Sequence, residues 1–456
     1  MDKHKISALL ILTLTFCLTT QAFAQTKPPG PQNDNDYDYI SGFPGTAINP
    51  SGIVLYSAGI WTRTGGNQSL GGLGGGSTVA AAINAAGAVV GMSQLPDGTF
   101  HAFLWTASGG MQDLGSVLGG NSSAGAVNAS GQVTGNSSTA DGSITHAFFW
   151  SSGTGMVDLG TLPGDAQSSA IALNDNGEVV GAGDGVVKFK WTASSGMQAL
   201  PGLGVGSSLV GVGDNGIIGG SSFFADGSQH ATVWTADGVV HDLGTLPGDT
   251  ISAVSYVNSS GHMTGYSARP GAKRGSGPQY DTFFWTATSG MVDLGLPHAA
   301  QHFPFAFNNH DQILVYYGNI FIWGPNGPEA FAGNGNKIPI QGILSDAGLF
   351  FGVGQRLYAP VMHVQLTSSA NPSTAGESVT FTANVSSVFG PAPDGEQVTI
   401  GQGSKIVLGT ASLSGGTATV STAALKAGKH NIIATYSGDN NYPSSKSPKV
   451  VQVVTK

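Results

Sequence analysis

A short segment near position 300 carries the side chains best suited to holding a metal ion. The stretch PHAAQHFPFAFNNHD covers residues 297–311 and combines histidines with an aspartate. Imidazole nitrogens and carboxylate oxygens are common zinc ligands. Pro297 and Pro304 disfavour a helix that would place neighbouring histidines on one face. The candidate metal ligands are His298, His302, His310 and Asp311. We expect the chain to need no cofactor.

A basic loop is the second group of residues that could bind a ligand. The stretch ARPGAKRGSGPQYD, residues 268–281, is the longest insertion between repeated segments and contains the densest cluster of cations in the chain. Loops carried by a rigid scaffold are frequent binding sites, although loops are by default solvated. The candidate ligand contacts in this loop are Arg269, Lys273, Arg274 and Tyr280.

The other titratable residues mostly recur at fixed positions, which argues against catalysis. The aspartates that begin an Asp-Leu-Gly sequence are Asp113, Asp158, Asp242 and Asp293. A catalytic pair needs two unlike environments that separate the pKa values of its members, so a repeated carboxylate fits a structural role better. The histidines that share one repeat position are His101, His146 and His230, and we expect them to form hydrogen bonds within the fold. No Gly-x-Ser-x-Gly or His-Glu-x-x-His motif occurs, and we nominate no catalytic residue.

The tryptophans mark the element that repeats. All seven lie 38 to 51 residues apart. They are Trp61, Trp105, Trp150, Trp191, Trp234, Trp285 and Trp323. About 20 to 23 residues after each comes an apolar residue that is usually followed by Asn and then Gly, as in VNASG (127–131). This pattern predicts a hairpin turn, in which Asn and Gly tolerate positive φ.

Each unit contains four short apolar runs. In the order we expect, they are the run ending in Asp-Leu-Gly, the Ala-rich run into Asn, the run after Gly, and the run ending in Trp. Four antiparallel strands in about 40 to 45 residues are typical of a β-propeller blade. Eight units run from Asp38 to Tyr358, so we predict eight blades. Seven is the alternative, because the short first and last units could merge. We expect each tryptophan to fill the wedge between adjacent blades.

The order His-Ala-Phe-x-Trp, Met-x-Asp-Leu-Gly-x-Leu and Asn-x-x-Gly-x-Val-x-Gly resembles the bacterial extracellular HAF-type repeat. The pattern is clearest in HAFLW (101–105) and HAFFW (146–150), and it drifts in HATVW, DTFFW and NIFIW. The resemblance covers about residues 37–358. It implies secretion and a repeat β-fold, and it implies no defined reaction.

After Pro360 the pattern changes to alternating apolar and polar residues with frequent turn signals, which predicts a β-sandwich over residues 361–456. The stretches NPSTAGESVTFTANV (371–385) and GKHNIIATYSGDNNYPSS (428–445) resemble the group-3 bacterial immunoglobulin-like (Ig-like) domain. Because this region has no cysteine pair and no tryptophan, Val, Ile and Phe must fill its core. The resemblance implies a spacer or surface-attachment role.

The N-terminus and the overall charge indicate where the chain works. Lys3 and Lys5 precede a short apolar run and the sequence AFA, which predicts a signal peptide over residues 1–24 and a flexible segment over 25–36. The net charge of −9 argues against nucleic acid and anionic lipid as partners. No later segment reaches about 20 consecutive apolar residues, so we expect no integral membrane span. We also expect the chain to be a monomer.

Together these features predict an all-β protein, with a propeller of four-stranded repeats over residues 37–360 and an Ig-like β-sandwich after it. The variable loops lie on one face of the ring, where repeat scaffolds often build binding sites. We expect a secreted bacterial binding, adhesion or surface-structural protein whose partner is an extracellular polysaccharide or a surface protein. The alternative is an extracellular enzyme acting on polysaccharide or peptide, for which only the region from His298 to Asp311 offers non-repeated groups.

Overall fold

The repeated apolar runs form short antiparallel strands joined by tight turns. The computed structural model of the protein describes residues 37–42, 45–184, 187–270, 277–295, 303–317, 319–324, 327–334, 343–352, 356–403 and 406–456. Those residues contain strands and no helix. The predicted signal peptide (1–24) and flexible segment (25–36) lie outside the described residues.

The described residues up to Pro360 form 31 strands. They are β1 (Tyr37–Gly42), β2 (Ala47–Ile48), β3 (Val54–Tyr56), β4 (Gly59–Thr62), β5 (Gly66–Ser69), β6 (Thr78–Ile83), β7 (Val89–Gln94), β8 (Phe100–Thr106), β9 (Gly110–Gly115), β10 (Gly119–Val127), β11 (Val133–Thr139), β12 (Thr145–Ser151), β13 (Gly155–Asp158), β14 (Ser168–Leu173), β15 (Val179–Gly183), β16 (Lys188–Thr192), β17 (Gly196–Leu200), β18 (Gly206–Val212), β19 (Ile218–Phe223), β20 (Gln229–Trp234), β21 (Val240–Asp242), β22 (Ile251–Val257), β23 (Met263–Arg269), β24 (Gln279–Thr286), β25 (Gly290–Asp293), β26 (Pro304–Phe307), β27 (Ile313–Tyr317), β28 (Asn319–Gly324), β29 (Gly327–Asn334), β30 (Phe350–Gly352) and β31 (Arg356–Pro360).

These strands form eight sheets, which are the blades of a β-propeller. Blades 1 to 7 are four-stranded and take their strands in sequence order, from β2–β5 in blade 1 to β26–β29 in blade 7. Blade 8 joins β1 to β31 and β30, and an isolated bridge from Leu344 to Phe350 lies beside it. The strand at the start of the ring therefore completes the last blade. The propeller prediction is confirmed, and the described residues give eight blades.

The order of the strands within a unit differs from the predicted order by one position. The run ending in Asp-Leu-Gly closes a blade instead of opening the next one: β9 pairs with β8, and β13 pairs with β12. The physical reason is the short turn after each tryptophan strand, which folds the next run back as a hairpin. The longer segment after Asp-Leu-Gly is then the crossover to the following blade.

Aromatic residues fill the wedges between blades, as predicted. Phe148 and Trp150 pack with Ala102 and its neighbours in blade 2, whereas Ala147 and Phe149 of the same strand pack against blade 4. Successive side chains of a strand point to opposite faces, so one strand serves two wedges. The core of the ring is thus a set of wedge clusters, one at each blade junction.

A glycine in the second strand of a blade lets the first strand bulge. The register of β10 against β11 slips between Ala124 and Ala126, opposite Gly135. A Cβ on Gly135 would lie 2.0 Å from the carbonyl oxygen of Ser123 and 2.9 Å from the ring of Phe148. The glycines that meet the same obstruction in other blades are Gly91, Gly181, Gly220 and Gly265. Close approach of the backbone explains why the Val-x-Gly element recurs.

The asparagine of each Asn-x-x-Gly turn has a different role from the predicted one. Among the described residues Asp311 is the one non-glycine residue with positive φ, so the asparagines do not use that conformation. They are instead buried and link neighbouring blades. The Asn128 side chain accepts the Gln132 N–H at 2.9 Å and donates to the Asn174 carbonyl of blade 4 at 3.0 Å.

The same pair of hydrogen bonds recurs around most of the ring, and we call these residues the asparagine ladder. Its members are Asn49, Asn84, Asn128, Asn174, Asn258 and Asn308. In blade 5 the equivalent residue is Gly213, which has no amide, and the backbone N–H of Asp214 donates to the Ser259 carbonyl at 2.7 Å instead. In blade 8 the equivalent residue is Ser345.

The C-terminal module is a sandwich of two sheets. Its strands are β32 (His363–Ser368), β33 (Ser373–Thr374), β34 (Val379–Ser387), β35 (Gly390–Pro391), β36 (Gln397–Gln402), β37 (Ile406–Ser412), β38 (Thr417–Thr422), β39 (Gly428–Tyr436), β40 (Ser445–Lys446) and β41 (Val450–Thr455). One sheet contains β32, β34, β35 and β38, and the other contains β33, β41, β39, β36, β37 and β40. Phe381, Ile400, Ile432 and Tyr436 fill the core. Two residues, Val361 and Met362, connect it to β31.

We predict that the asparagine ladder stabilises the ring. Asn128→Ala would leave the N–H of Gln132 without its partner and would remove one of two hydrogen bonds to the buried carbonyl of Asn174, which keeps the Gly177 N–H. The free energy of unfolding should therefore fall by about 2 kcal/mol. Urea unfolding of the full chain measures this change. Asn67→Ala, at an exposed position of β5, is the matched control and should change the free energy little. Equal losses in the two variants would contradict the role of the ladder.

Candidate functional site

The two ends of the ring carry different connections. The turns from first to second strand and from third to fourth strand of each blade leave the sheets at one end, which we call the turn end. The loops from second to third strand and the crossovers between blades leave at the other end, the loop end. This separation follows from antiparallel pairing within each blade. All loops predicted to vary, including 268–281, belong to the loop end.

Repeated His–Asp pairs hold the loop end together. His101 Nδ1 lies 2.9 Å from Asp113 Oδ1, and the pairs His146–Asp158 and His230–Asp242 have the same geometry at 3.0 and 2.8 Å. Asp113 also accepts the N–H of Gly115 at 2.8 Å. The expected hydrogen bonds within blades are therefore present. Each pair ties the third strand of a blade to the fourth.

Blades 4 and 6 lack the His–Asp pair in different ways. Blade 4 has Val187 at the histidine position and Ala199 at the aspartate position, so both partners are replaced together. Blade 6 keeps Asp293 but has Asp281 where the histidine would stand. A second carboxylate in this place needs a cation, and Arg269 supplies it.

Arg269 is the centre of an ion-pair network in blade 6. Its Nη1 donates to Asp249 Oδ1 at 2.9 Å and to Asp281 Oδ2 at 2.8 Å. Its Nε donates to Gln279 Oε1 at 3.1 Å. Desolvation opposes the charge of Arg269, but the two carboxylates outweigh it and raise the pKa of the guanidinium. Arg269 therefore neutralises carboxylates of its own blade.

The remaining ligand candidates of this loop divide into two groups. Tyr280 packs against Tyr266 and Phe303, with ring centroids 5.4 and 4.2 Å away. The three rings occupy the wedge between blades 6 and 7 at the loop end. Lys273 and Arg274 lie outside the described residues.

Two of the four candidate metal ligands are engaged in the turn of blade 7. Asp311 has a φ of 60° at the position that glycine holds in other blades. It accepts hydrogen bonds from Asn258 Nδ2 at 2.8 Å and His262 Nδ1 at 2.9 Å. His310 Nδ1 lies 3.0 Å from the Asp346 carbonyl oxygen. His298 and His302 lie outside the described residues, and within the described part no three His, Cys, Asp or Glu side chains are grouped to hold a metal.

A cavity of about 380 Å³ opens at the turn end, on the axis of the ring. All eight blades line it. The apolar residue before each ladder position forms a collar, as with Val127, Leu173 and Phe307, and the residue after it forms the rim. Volumes of this size are within the range of small-ligand sites. In the sequence, the two residues that flank each Asn are the signal for this cavity. The variable loops instead predict a binding face at the loop end.

Hydrogen-bond acceptors dominate the rim. Asp175 Oδ1 accepts the Ala129 N–H at 2.8 Å, and Asp214 Oδ1 accepts the Asp175 N–H at 2.8 Å. Asp346 accepts from Asn309 in the same manner at 2.8 Å. The described lining residues include these three aspartates and no Lys, Arg or His. The amide groups of the ladder are already bonded between blades, so they are fixed walls and not free donors.

One part of the chain matches a known family. Residues 366–455 match the model of the bacterial Ig-like domain (group 3). The C-terminal module is a bacterial Ig-like domain. No curated protein matches the chain. No helix of the described residues is long and apolar enough to cross a bilayer.

Solved structures resemble the chain only distantly. TolB from Acinetobacter baumannii is 13% identical with a TM-score of 0.31, and the match covers 58% of this chain and 63% of that one. A post-proline cleaving enzyme from Rickettsia typhi is 9% identical with a TM-score of 0.40, covering 76% and 58%. The extracellular domain of the hybrid two-component system BT4673 from B. thetaiotaomicron is 10% identical with a TM-score of 0.33, covering 80% and 56%. The chain thus spans between 56% and 63% of their lengths, and these similarities carry no activity over to it.

We predict that Arg269 acts on stability. Arg269→Ala would remove the cation that bridges Asp249 and Asp281, whose side chains are 0% and 4% exposed. Breaking a buried ion pair from one side costs about 3 kcal/mol, so the melting temperature of the full chain should fall by several degrees. Asp249→Asn added to Arg269→Ala removes one uncompensated charge and should recover part of the loss. An unchanged melting temperature in the single variant would show that the network is not structural.

Proposed function

We propose that this chain is a secreted, non-catalytic binding protein whose ring holds an extracellular ligand in the cavity at the turn end. The observation that carries the proposal is the lining of that cavity by all eight blades, with an apolar collar below a carboxylate rim. Rigid concave sites with a few polar groups are typical of ligand binding. The His–Asp pairs and the Arg269 network engage the repeated histidines and the buried carboxylates of the described loop end in structural contacts, which favours binding over catalysis.

The chemistry of the rim selects the class of ligand. Asp175 and Asp214 each use one carboxylate oxygen for a backbone N–H, so the second oxygen of each is available as an acceptor. Asp346 adds a third negative charge on the far side of the rim. A ligand that brings ammonium groups satisfies these acceptors, and an apolar body would contact the collar. Polysaccharides with free amino groups and surface proteins with exposed lysines both have this chemistry.

An extracellular location fits this assignment. The N-terminal pattern predicts export, the ring resembles the HAF-type repeat, and Ig-like domains of this family fit a spacer or attachment role. In this arrangement the Ig-like domain attaches the protein to a surface while the ring binds its ligand.

We predict that glucosamine oligomers bind the full mature chain more tightly than their N-acetylated counterparts. The ammonium groups should pair with the rim, so binding should also weaken as salt is added. Isothermal titration calorimetry measures both effects. The double variant Asp175→Asn/Asp214→Asn keeps an oxygen for each backbone N–H and removes two charges, and it should lower affinity by about tenfold or more.

The control for the rim is Asp226→Asn, which removes one charge from an exposed turn at the loop end. It should leave the affinity unchanged. Equal binding of both oligomers, or equal loss in the rim variant and the control, would reject the cavity as the binding site. Release of shortened oligomers during the titration would overturn the non-catalytic assignment.

A further inference from the structure

Blade 8, which closes the ring, lacks a repeated residue at each of its two junctions. At the junction with blade 7 it has Tyr358 where the other units have tryptophan. At the junction with blade 1 the wedge keeps Trp61, but the asparagine ladder is interrupted, because Ser345 has no side-chain amide to reach Asn49. One device that holds other junctions is therefore missing on each side of blade 8.

The Ig-like domain contacts the ring at the junction of blades 7 and 8. Phe389, in the turn between β34 and β35, packs against the wedge cluster of blades 7 and 8 that contains Leu314, Leu344 and Phe350. Gly348 permits this approach, since a Cβ there would lie 2.8 Å from Cε2 of the Phe389 ring. The module thus adds an aromatic side chain to the one blade that lacks the repeated tryptophan.

A second contact of the same domain reaches blade 1. Asn441 Nδ2 donates to the Pro50 carbonyl at 3.0 Å, and Thr64 Oγ1 donates to Asn440 Oδ1 at 3.2 Å. A Cβ on Gly52 would lie 2.4 Å from Asn441 Oδ1, so the turn of blade 1 and the loop fit closely. We call Phe389, Asn440 and Asn441 the clasp residues.

We propose that the Ig-like domain acts as a clasp on blade 8, the closing blade of the propeller, with Phe389 completing the wedge between blades 7 and 8 and the loop 439–442 holding blade 1. The connection supports this role, because only Val361 and Met362 separate β31 of blade 8 from β32. Met362 is itself buried in the core of the Ig-like domain. A link this short holds the domain beside the blade that it completes.

The loop that presents the clasp to blade 1 is built around carboxylates. Asp439 Oδ1 accepts the N–H groups of Asn441 and Tyr442, each at 2.8 Å. Glu396 faces this loop and accepts a hydrogen bond from the Tyr436 hydroxyl. Burial, and then the nearby Asp439, raise the pKa of Glu396 to about 7. The titratable groups that face Glu396 are Tyr436, Asp439 and Tyr442.

Hydrogen exchange of the full chain tests the clasp. Phe389→Ala should speed exchange about tenfold or more in β1 and β31, because the wedge of blade 8 loses an aromatic ring. Exchange in β34 should stay slow if the Ig-like domain remains folded. Val388→Ala, next to Phe389 but 40% exposed, is the matched control and should change neither region.

Asn441→Ala gives an independent route to the same joint. It removes the hydrogen bond to Pro50 without touching the hydrophobic cluster, and it should also speed exchange in β1 and β31. Slow exchange of β1 and β31 in both variants would overturn the proposal, even if the Ig-like domain itself became less stable.

The carboxylates predict a pH dependence of the clasp. A pKa raised above the ordinary value means that the protonated form of Glu396 is favoured in the folded state, so its stabilisation is complete below about pH 4.5 and is lost as pH rises through about 7. Above that pH two adjacent carboxylates repel in the loop, and exchange in β1 and β31 should accelerate. Glu396→Gln cannot ionise and should flatten this dependence between pH 5 and 8. A wild-type profile that is already flat, or one unchanged by Glu396→Gln, would show that Glu396 does not control the clasp.

Discussion

A ring of separate sheets is stable only if each sheet is joined to the next, and near the axis this protein makes the joint with buried amide side chains. An unpaired amide in such a place would destabilise the fold, because buried polar groups need partners. The ladder removes that cost by giving each amide two fixed partners, as Asn128 does with Gln132 and Asn174. The tryptophan wedges lie further from the axis and contribute the apolar burial. Polar joints inside and apolar wedges outside together fix the spacing of the blades.

The asparagine ladder and the tryptophan wedges also explain why the ring needs additional contacts at blade 8. Blade 8 receives β1 from the start of the chain, so it closes the ring, yet it has neither the ladder amide nor the tryptophan. Closing a ring between distant parts of a chain costs conformational entropy that local contacts must offset. The Ig-like domain contacts both sides of this junction, at Gly348 and at Pro50. The stability of the ring is therefore coupled to that of the Ig-like domain, and the two are not modules joined by a passive linker.

The sequence predicted the repeated features well and the unrepeated ones poorly, for a physical reason. Tryptophan spacing predicted eight blades and the wedge role of Trp150, since a large apolar residue at a fixed period must be buried at an equivalent place. The Asn-x-x-Gly pattern predicts the turn, but a sequence pattern does not show whether its asparagine is buried. It therefore does not predict that Asn128 is buried and lacks positive φ. Strand order was shifted because a run ending in Asp-Leu-Gly can pair on either side. Phe389 recurs nowhere, and nothing in its sequence context predicted a contact with the ring.

Repetition also bears on where function can reside. A residue that recurs in several blades is held by the demands of the fold, as with Gly135 against the bulged strand or His146 with Asp158. Ligand recognition must then come from positions that the repeat leaves free. The rim is such a position: it follows each ladder residue, its backbone is fixed by the ladder, and its side chain changes from Pro50 in blade 1 to Asp214 in blade 5. A rigid ring with one variable residue per blade can acquire a new binding specificity by substitution at rim positions such as Ala85 and Ala129, whereas Asp175, Asp214 and Asp346 also bond to the backbone of a neighbouring blade.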